Sequence, residues 1–173
     1  MLLLLTRHAR APERDTARWP DDSLRPLTNL GREFHAEMSR ALARIDGTPG
    51  AVLTSPWVRA RQTADLMIEE MGLDLQPVET NALAASVDLN AIRREIEALG
   101  RVSAVALVGH SPWIEELASL LLTGRADGMT IDFPKSGVMA LDVDRIDPGA
   151  ASLRFFLRPK HVRDLRRRKK KKA

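Results

Sequence analysis

The 173-residue sequence contains no cysteine and no tyrosine, and it has only three tryptophans and four phenylalanines. The absence of cysteine excludes disulfide bonds and thiol-based catalysis. With so few aromatic side chains, the hydrophobic core has to consist mainly of Leu, Ala, Val and Ile. The hydrophobic content of 44% is ordinary for a globular protein, and the length fits one domain.

Long apolar runs are also lacking. The four leucines at residues 2–5 form too short a run for a transmembrane helix or for the apolar region of a signal peptide. We therefore expect no membrane span and, by default, a cytoplasmic location. No cluster of side chains has the spacing of a metal site, so no metal or other cofactor is expected.

Positive charge is concentrated at one end of the chain. Eight of the 27 Lys and Arg residues, but only one of the 23 acidic residues, lie in residues 161–173. This segment carries a net charge of +7, and the other 160 residues carry −3. Because like charges repel, we predict a domain over residues 1–160 and a basic, disordered or frayed helical tail over 161–173. Residues 163–172 are a candidate polyanion contact, but they contain no aromatic side chain for stacking on nucleic-acid bases.

Short apolar runs alternate with helical patterns along the chain. Residues 2–5, 51–54 and 103–108 predict buried strands, and residues 137–143 and 151–157 predict closing strands. Helices are predicted over about 29–45, 56–71, 88–99 and 113–122, with Thr28, Ser55 and Asp88 among the candidate N-caps. This alternation predicts an α/β fold, an αβα sandwich with a mostly parallel central sheet covered on both faces.

Polar side chains follow three of the predicted strands. Arg7 and His8 follow the first, Ser55 and then Arg59 follow the second, and His110 follows the third. Because the carboxyl ends of parallel strands lie along one edge of a sheet, these side chains are expected to surround one small anion. The planar guanidinium group of arginine matches phosphate oxygens, so phosphate is the favoured anion.

A histidine in such a site can act as a nucleophile. Neutral imidazole predominates near pH 7, and neighbouring arginines disfavour the protonated form. Attack on phosphorus would give a phosphohistidine that water then hydrolyses. For the first segment alone, a solvated loop after the strand is an equally good interpretation.

Three segments resemble motifs of the histidine phosphatase superfamily, which has the phosphoglycerate-mutase-like fold. Residues 5–9 (LTRHA) are similar to its Arg-His signature, residues 55–64 (SPWVRARQTA) to its Ser-Pro-x-x-Arg segment, and residues 108–112 (VGHSP) to its second histidine motif. Residues 25–31 (RPLTNLG) narrow the resemblance to the small SixA-type phosphohistidine phosphatases. The resemblance covers roughly residues 2–160.

The resemblance implies roles for individual residues. His8 matches the phosphorylated nucleophile of the family, and Arg7, Arg59 and His110 match its phosphate-binding residues. Ser111 stands where the SixA-type motif often has Asn, which makes it a further candidate substrate-binding residue. Gln62 and Thr63 are expected to hold their helix against neighbouring loops.

The sequence departs from the broader superfamily in the region that carries the proton donor of mutases and many phosphomonoesterases. Residues 83–85 offer no carboxylate, and the nearest acids are Glu79 and Asp88, the latter better explained as a helix cap. A missing general acid favours a leaving group such as imidazole over an alkoxide. The leading prediction is therefore a phosphatase acting on protein phosphohistidine. The alternatives are a broad-range phosphomonoesterase and a non-catalytic phosphate- or polyanion-binding module, and a monomer is expected in each case.

Overall fold

A computed structural model describes residues 1–45, 47–84 and 86–170, with side chains described as far as residue 165. Its centre is a mixed sheet of six strands in the order β3-β2-β4-β1-β5-β6. The strands are β1 Leu2–Arg7, β2 Ala51–Thr54, β3 Val78–Glu79, β4 Ala104–Gly109, β5 Val138–Val143 and β6 Ala151–Leu157. Strands β1 to β4 run parallel, and β5 is antiparallel to both β1 and β6. The predicted mostly parallel sheet is confirmed.

Five helices cover the sheet: α1 Asn29–Leu42, α2 Val58–Met71, α3 Leu89–Ala98, α4 Trp113–Thr123 and α5 Pro159–Lys170. Two of the predicted N-caps are confirmed by hydrogen bonds. The side chain of Thr28 accepts from the Gly31 amide at 2.9 Å. That of Asp88 accepts from the Ala91 amide at 3.0 Å, which satisfies one of the free amides at the start of α3.

Two apolar clusters lie on opposite faces of the sheet. Leu3 and Leu5 point into a cluster with α3 and α4, whereas Leu2 and Leu4 point into a cluster with α1, α2 and α5. This division follows from the two-residue repeat of a strand, which sends successive side chains to opposite faces. The αβα sandwich predicted from the alternation of elements is therefore confirmed.

The prediction that Ser55 caps α2 is wrong. Helix α2 begins at Val58, and its N-cap position is Trp57, which makes no side-chain capping bond. The Ser55 hydroxyl is 2.9 Å from the imidazole of His110, and it accepts at 3.3 Å from the amide of Trp57, which precedes the helix. Arg59 is consequently the second residue of α2, rather than the fourth, as the predicted helix start at residue 56 implied.

The predicted domain boundary at residue 160 lies inside α5 and does not mark the end of packing. Val162 is buried against α1 and α2, and the guanidinium carbon of Arg163 lies 4.2 Å from the ring centre of Phe34. The helix therefore begins as part of the folded unit. The rest of the predicted tail, including residues 171–173 and the side chains from 166 onward, lies outside what is described. No helix in the described part of the chain is both long and apolar enough to cross a membrane.

His35 is a fully buried titratable residue on α1. Burial lowers its pKa to about 4, and the Thr63 carbonyl opposes this shift. In the unfolded chain the pKa of histidine is about 6.5, so between these values the unfolded state binds more protons than the folded state. The free energy of unfolding should therefore fall as the pH drops below 6.5, and His35 alone should account for about 2 kcal/mol at pH 5.

Urea denaturation at pH 7 and pH 5 measures this loss of stability. His35→Leu should lose clearly less stability than the unsubstituted protein between these two pH values. His161→Leu, at an exposed position on α5, should lose as much as the unsubstituted protein. Equal losses in both variants would show that the burial of His35 does not control the acid sensitivity.

Candidate active site

The pairing of the strands brings the predicted site residues to one edge of the sheet. Arg7, the last residue of β1, is paired with Gly109, the last residue of β4. Just beyond this pair, the amide of His8 donates to the Gly109 carbonyl at 2.9 Å. The rings of His8 and His110 consequently lie with their centres 5.0 Å apart. The predicted convergence of the two histidine motifs is observed.

The hydrogen bonds of His8 define its tautomer. Its Nδ1 lies 2.7 Å from the Ala9 carbonyl oxygen. A carbonyl oxygen can only accept a hydrogen bond, so Nδ1 carries the proton and Nε2 keeps its lone pair. Nε2 accepts from Nε of Arg59 at 3.3 Å. The nitrogen with the lone pair therefore faces a guanidinium group, where an anion would also be attracted.

The environment of His8 keeps its imidazole neutral. Burial is the main cause that lowers the pKa of His8 well below its ordinary value, and the charges of Arg59 and Arg7 act in the same direction. His8 is only 6% exposed. At neutral pH the imidazole of His8 is therefore uncharged, with Nε2 unprotonated.

The guanidinium groups of Arg7 and Arg59 are each held by bonds to a residue distant in the sequence, Phe133 for Arg7 and Asp22 for Arg59. Nη1 of Arg7 donates to the Phe133 carbonyl, and its buried Nε has no hydrogen-bond partner in the described part of the chain. Nη1 of Arg59 donates to the carbonyl of Asp22 at 2.8 Å, and Nη2 lies 3.1 Å from its carboxylate. Both guanidinium groups are thus held in place, and that of Arg7 has a donor free for a ligand.

Asp22 and Arg25 belong to the site, although sequence reasoning gave neither of them a role. Asp22 lies in a short 3-10 helix, and its carboxylate contacts both Arg25 and Arg59. The hydrogen bond from Arg25 lowers the pKa of Asp22. In the sequence, the signal for this contact is the RPLT motif, whose Arg25 follows Asp22 by three residues.

His110 completes the inner part of the site. One ring nitrogen, Nε2, is bound to the Ser55 hydroxyl at 2.9 Å, whereas the buried Nδ1 is unpartnered among the described residues. Burial, with the charge of Arg59, lowers the pKa of His110 to about 3, so this imidazole is also neutral. Nδ1 is therefore available to a bound ligand.

Gln62 and Thr63 hold helix α2 against neighbouring loops, as predicted from the sequence. The Gln62 side chain accepts from the Leu27 amide at 2.9 Å. Thr63 Oγ1 accepts from the Ala9 amide at 3.0 Å and donates to the Arg59 carbonyl at 2.6 Å. These bonds join α2 to the segment that follows His8 and so set the separation of the nucleophile from Arg59.

These residues surround a cavity of about 530 Å³. Trp57 forms one wall, since its ring lies 4.6 Å from that of His110 and 4.4 Å from the guanidinium carbon of Arg59. The cavity is strongly cationic, with five side chains of positive charge: Arg7, Arg14, Arg25, Arg59 and Lys135. Lys135 was not predicted, and burial followed by the charge of Arg7 lowers its pKa. Its signal in the sequence is weak, because it is a single lysine in a loop.

The two acids considered as proton donors are not among the residues that line this cavity. Asp88 caps α3, and Glu79 forms an ion pair with Arg61 at 2.7 Å. Glu13 is the acidic residue found among the cavity-lining side chains, and it is exposed. The described residues also contain no group of three or more His, Asp or Glu side chains placed to hold a metal ion. The site therefore combines a neutral histidine with hydrogen-bond donors for an anion.

Several known proteins are similar to this chain in sequence or in fold. A curated protein of Picosynechococcus sp., itself uncharacterized, is 31% identical over 144 residues, which cover 82% of this chain and 84% of that protein. Among solved structures, the protein histidine phosphatase SixA in complex with tungstate has a TM-score of 0.74 and 24% identity, over 94% of this chain and 99% of that one. A phosphoserine phosphatase mutant from Entamoeba histolytica, in complex with phosphoserine, has a TM-score of 0.66 and 14% identity, over 92% and 98%.

These structural similarities establish that the fold is the phosphoglycerate-mutase-like fold of SixA. The profile of the histidine phosphatase superfamily (branch 1) matches residues 3–84. That range includes the strand that ends at Arg7, the following His8, and the helix that carries Arg59. Since the profile match and the site geometry involve the same residues, the chain belongs to the histidine phosphatase superfamily.

Proposed function

We propose that this protein is a phosphatase that forms a phosphohistidine on His8 and removes phosphate from phosphohistidine residues of another protein. The observation that carries this proposal is the orientation of His8, with its Nε2 lone pair facing Arg59 in a cationic cavity. The likeness to SixA, which is described as a protein histidine phosphatase, supports the same substrate class.

The first step transfers the phosphoryl group to His8. The Nε2 lone pair forms a bond to phosphorus as the bond from phosphorus to the leaving group breaks, and the leaving group keeps that electron pair. Nδ1 retains its proton and its bond to the Ala9 carbonyl, which stabilises the positive charge that develops on the ring. Arg7, Arg59 and Nδ1 of His110 would bind the phosphoryl oxygens.

The second step hydrolyses the phosphohistidine. A water oxygen forms a bond to phosphorus while the bond from phosphorus to Nε2 breaks, and the electron pair returns to Nε2. The proton lost by water passes to a phosphate oxygen or to solvent. His8 then has its starting tautomer, because Nδ1 has kept its proton throughout.

The leaving group distinguishes the candidate substrates. An alkoxide needs a proton from the enzyme as it departs, and loss of a general acid slows such reactions by about 10²–10⁴-fold. A substrate imidazole that is protonated on its other nitrogen departs as a neutral group and needs no such proton. The positions of Asp88 and Glu79, each occupied in another contact, therefore favour phosphohistidine over alkyl phosphates.

A phosphomonoesterase acting on small phosphoesters is the second candidate, and Glu13 is the observation that favours it. This carboxylate lines the cavity and could protonate an alkoxide. In that case Glu13→Gln would slow the hydrolysis of 3-phosphoglycerate much more than that of p-nitrophenyl phosphate, whose leaving group needs no proton.

The proposed function is tested by comparing kcat/KM of the unsubstituted protein for three substrates at one pH. They are a phosphohistidine-bearing carrier protein, p-nitrophenyl phosphate and 3-phosphoglycerate. We expect kcat/KM for the phosphohistidine protein to exceed that for 3-phosphoglycerate by at least about 10²-fold, the effect of a missing general acid. Faster hydrolysis of 3-phosphoglycerate would contradict the proposal and favour the phosphomonoesterase.

A further inference from the structure

Ser111 lines the cavity next to His110, and the proton of its hydroxyl group is already used. Ser111 Oγ donates to Oε1 of Glu115 at 2.5 Å. The other oxygen of that carboxylate, Oε2, is buried without a hydrogen-bond partner within the described part of the chain. An ionised carboxylate can only accept, so the hydroxyl proton stays on the side of Glu115 and the lone pairs of Ser111 Oγ remain for another group.

Glu115 lies near the positive charge of Arg7. It lies in the first turn of α4, where the free amides of the helix stabilise an anion. Burial lowers the pKa of Arg7, and the negative charge of Glu115 acts in the opposite direction. The carboxylate therefore lies close enough to Arg7 to affect its pKa. The direction of the hydrogen bond from Ser111 to Glu115 follows from the negative charge of Glu115.

An acceptor is uncommon among the side chains of this cavity. The five cationic groups and the two tryptophans can only donate hydrogen bonds. Ser111 and Glu13 are the two described lining residues whose side chains contain oxygen, and Glu13 is exposed. Ser111 therefore offers a ligand a fixed hydrogen-bond acceptor, which the phosphate-binding groups do not offer.

We propose that Ser111, oriented by Glu115, accepts a hydrogen bond from the ring N–H of the substrate imidazole and so selects phosphohistidine over phosphoesters. This inference rests on the proposed function. During transfer, the bond from the substrate nitrogen to phosphorus breaks as phosphorus bonds to Nε2 of His8. The electron pair stays on the substrate nitrogen, the other ring nitrogen keeps its proton, and the imidazole leaves as a neutral group.

The chemistry of the leaving group makes this contact selective. A substrate imidazole can be displaced readily only while its second nitrogen is protonated, and that N–H needs an acceptor when water is excluded. The oxygen of a phenol or alcohol leaving group carries no such N–H. Glu115 is a positioning residue here, because it acts only by holding the Ser111 proton away from the substrate.

The test compares kcat/KM for a phosphohistidine-bearing carrier protein with kcat/KM for p-nitrophenyl phosphate in full-length variants. Ser111→Ala should lower the first value by about 10- to 100-fold, the effect of losing a hydrogen bond to a charged group, and change the second less than about twofold. Ser111→Asn, whose amide oxygen can accept, should retain most of the selectivity. Glu115→Leu, which removes the acceptor for the Ser111 proton, should lower the ratio of the two values, whereas Glu116→Leu, a change at its neighbour in the same helical turn, should leave the ratio unchanged.

The ratio separates the inference from the proposed function. If the unsubstituted protein does not hydrolyse phosphohistidine, the proposed function fails. If it does, but Ser111→Ala lowers both values equally or neither, the role of Ser111 is wrong. A change of the ratio in Glu13→Gln instead of Ser111→Ala would assign the acceptor to Glu13 and would also overturn the inference.

Discussion

Replacement of His8 by alanine is expected to abolish turnover. The variant should hydrolyse both the phosphohistidine protein and p-nitrophenyl phosphate at least about 10³-fold more slowly, as is usual when a covalent nucleophile is removed. The physical reason is that the substitution removes the ring nitrogen that Nε of Arg59 holds in the cavity. Steady-state rates at saturating substrate measure the loss.

The same variant also tests the covalent intermediate. Brief mixing of the unsubstituted protein with a ³²P-labelled substrate, followed by an alkaline quench, should leave label on the chain, because phosphohistidine survives alkali and is cleaved by acid. His8→Ala should acquire no label. His161→Ala, at an exposed position on α5, is the matched control and should be labelled as fully as the unsubstituted protein. Substantial turnover by His8→Ala would exclude the proposed mechanism.

Replacement of Gly109 by alanine is expected to cause a large loss of stability. A Cβ atom at this position would lie 1.7 Å from Cζ2 of Trp113 and 2.7 Å from two further ring atoms. Trp113 is fully buried and cannot move aside without displacing the core around α4. Overpacking of this kind costs about 1–3 kcal/mol and occasionally more, and we expect the upper end of that range.

Urea denaturation at pH 7.5 measures this effect, and activity should fall as well because the Gly109 carbonyl accepts from the His8 amide. Gly50→Ala is the matched control, since its Cβ would meet only the Ala104 carbonyl at 3.6 Å, an ordinary contact. Trp113→Leu in the Gly109→Ala background should cost less than the sum of the two single changes, because it removes the clashing ring. Wild-type stability in Gly109→Ala would show that the ring does not require glycine there.

The errors of the sequence analysis have a common cause. Ser55 stands before a proline and a helical pattern, so local rules predict an N-cap, yet its hydroxyl is bound to an imidazole 55 residues away in the chain. Asp88 obeys the same local rule and does cap its helix, since its carboxylate accepts from the Ala91 amide. A short polar side chain can serve a helix end or a distant group, and the sequence around it does not reveal which.

The site shows the same division between local and distant information. Arg7, His8, Arg59 and His110 could be predicted because each follows a strand whose apolar residues are contiguous in the sequence. Asp22 and Lys135 could not, since Asp22 lies in a short 3-10 helix and Lys135 in a loop, and neither segment has a periodic pattern. Their relevance arises from the positions of the arginines that they approach. Glu13 is likewise in a segment without periodicity, and it lies at an exposed position among the residues that line the cavity.

Strand and helix periodicities are local properties, and they were enough to predict the kinds of element, their order along the chain and the side chains near the strand ends. The direction of β5, the tautomer of His8 and the hydrogen bond from Ser111 to Glu115 followed from the three-dimensional structure. Each of these depends on which groups meet across the fold, and a hydrogen bond takes its direction from both partners. The chemistry that we propose for His8 could therefore be predicted from residue types, whereas the selectivity that we propose for the cavity required the geometry.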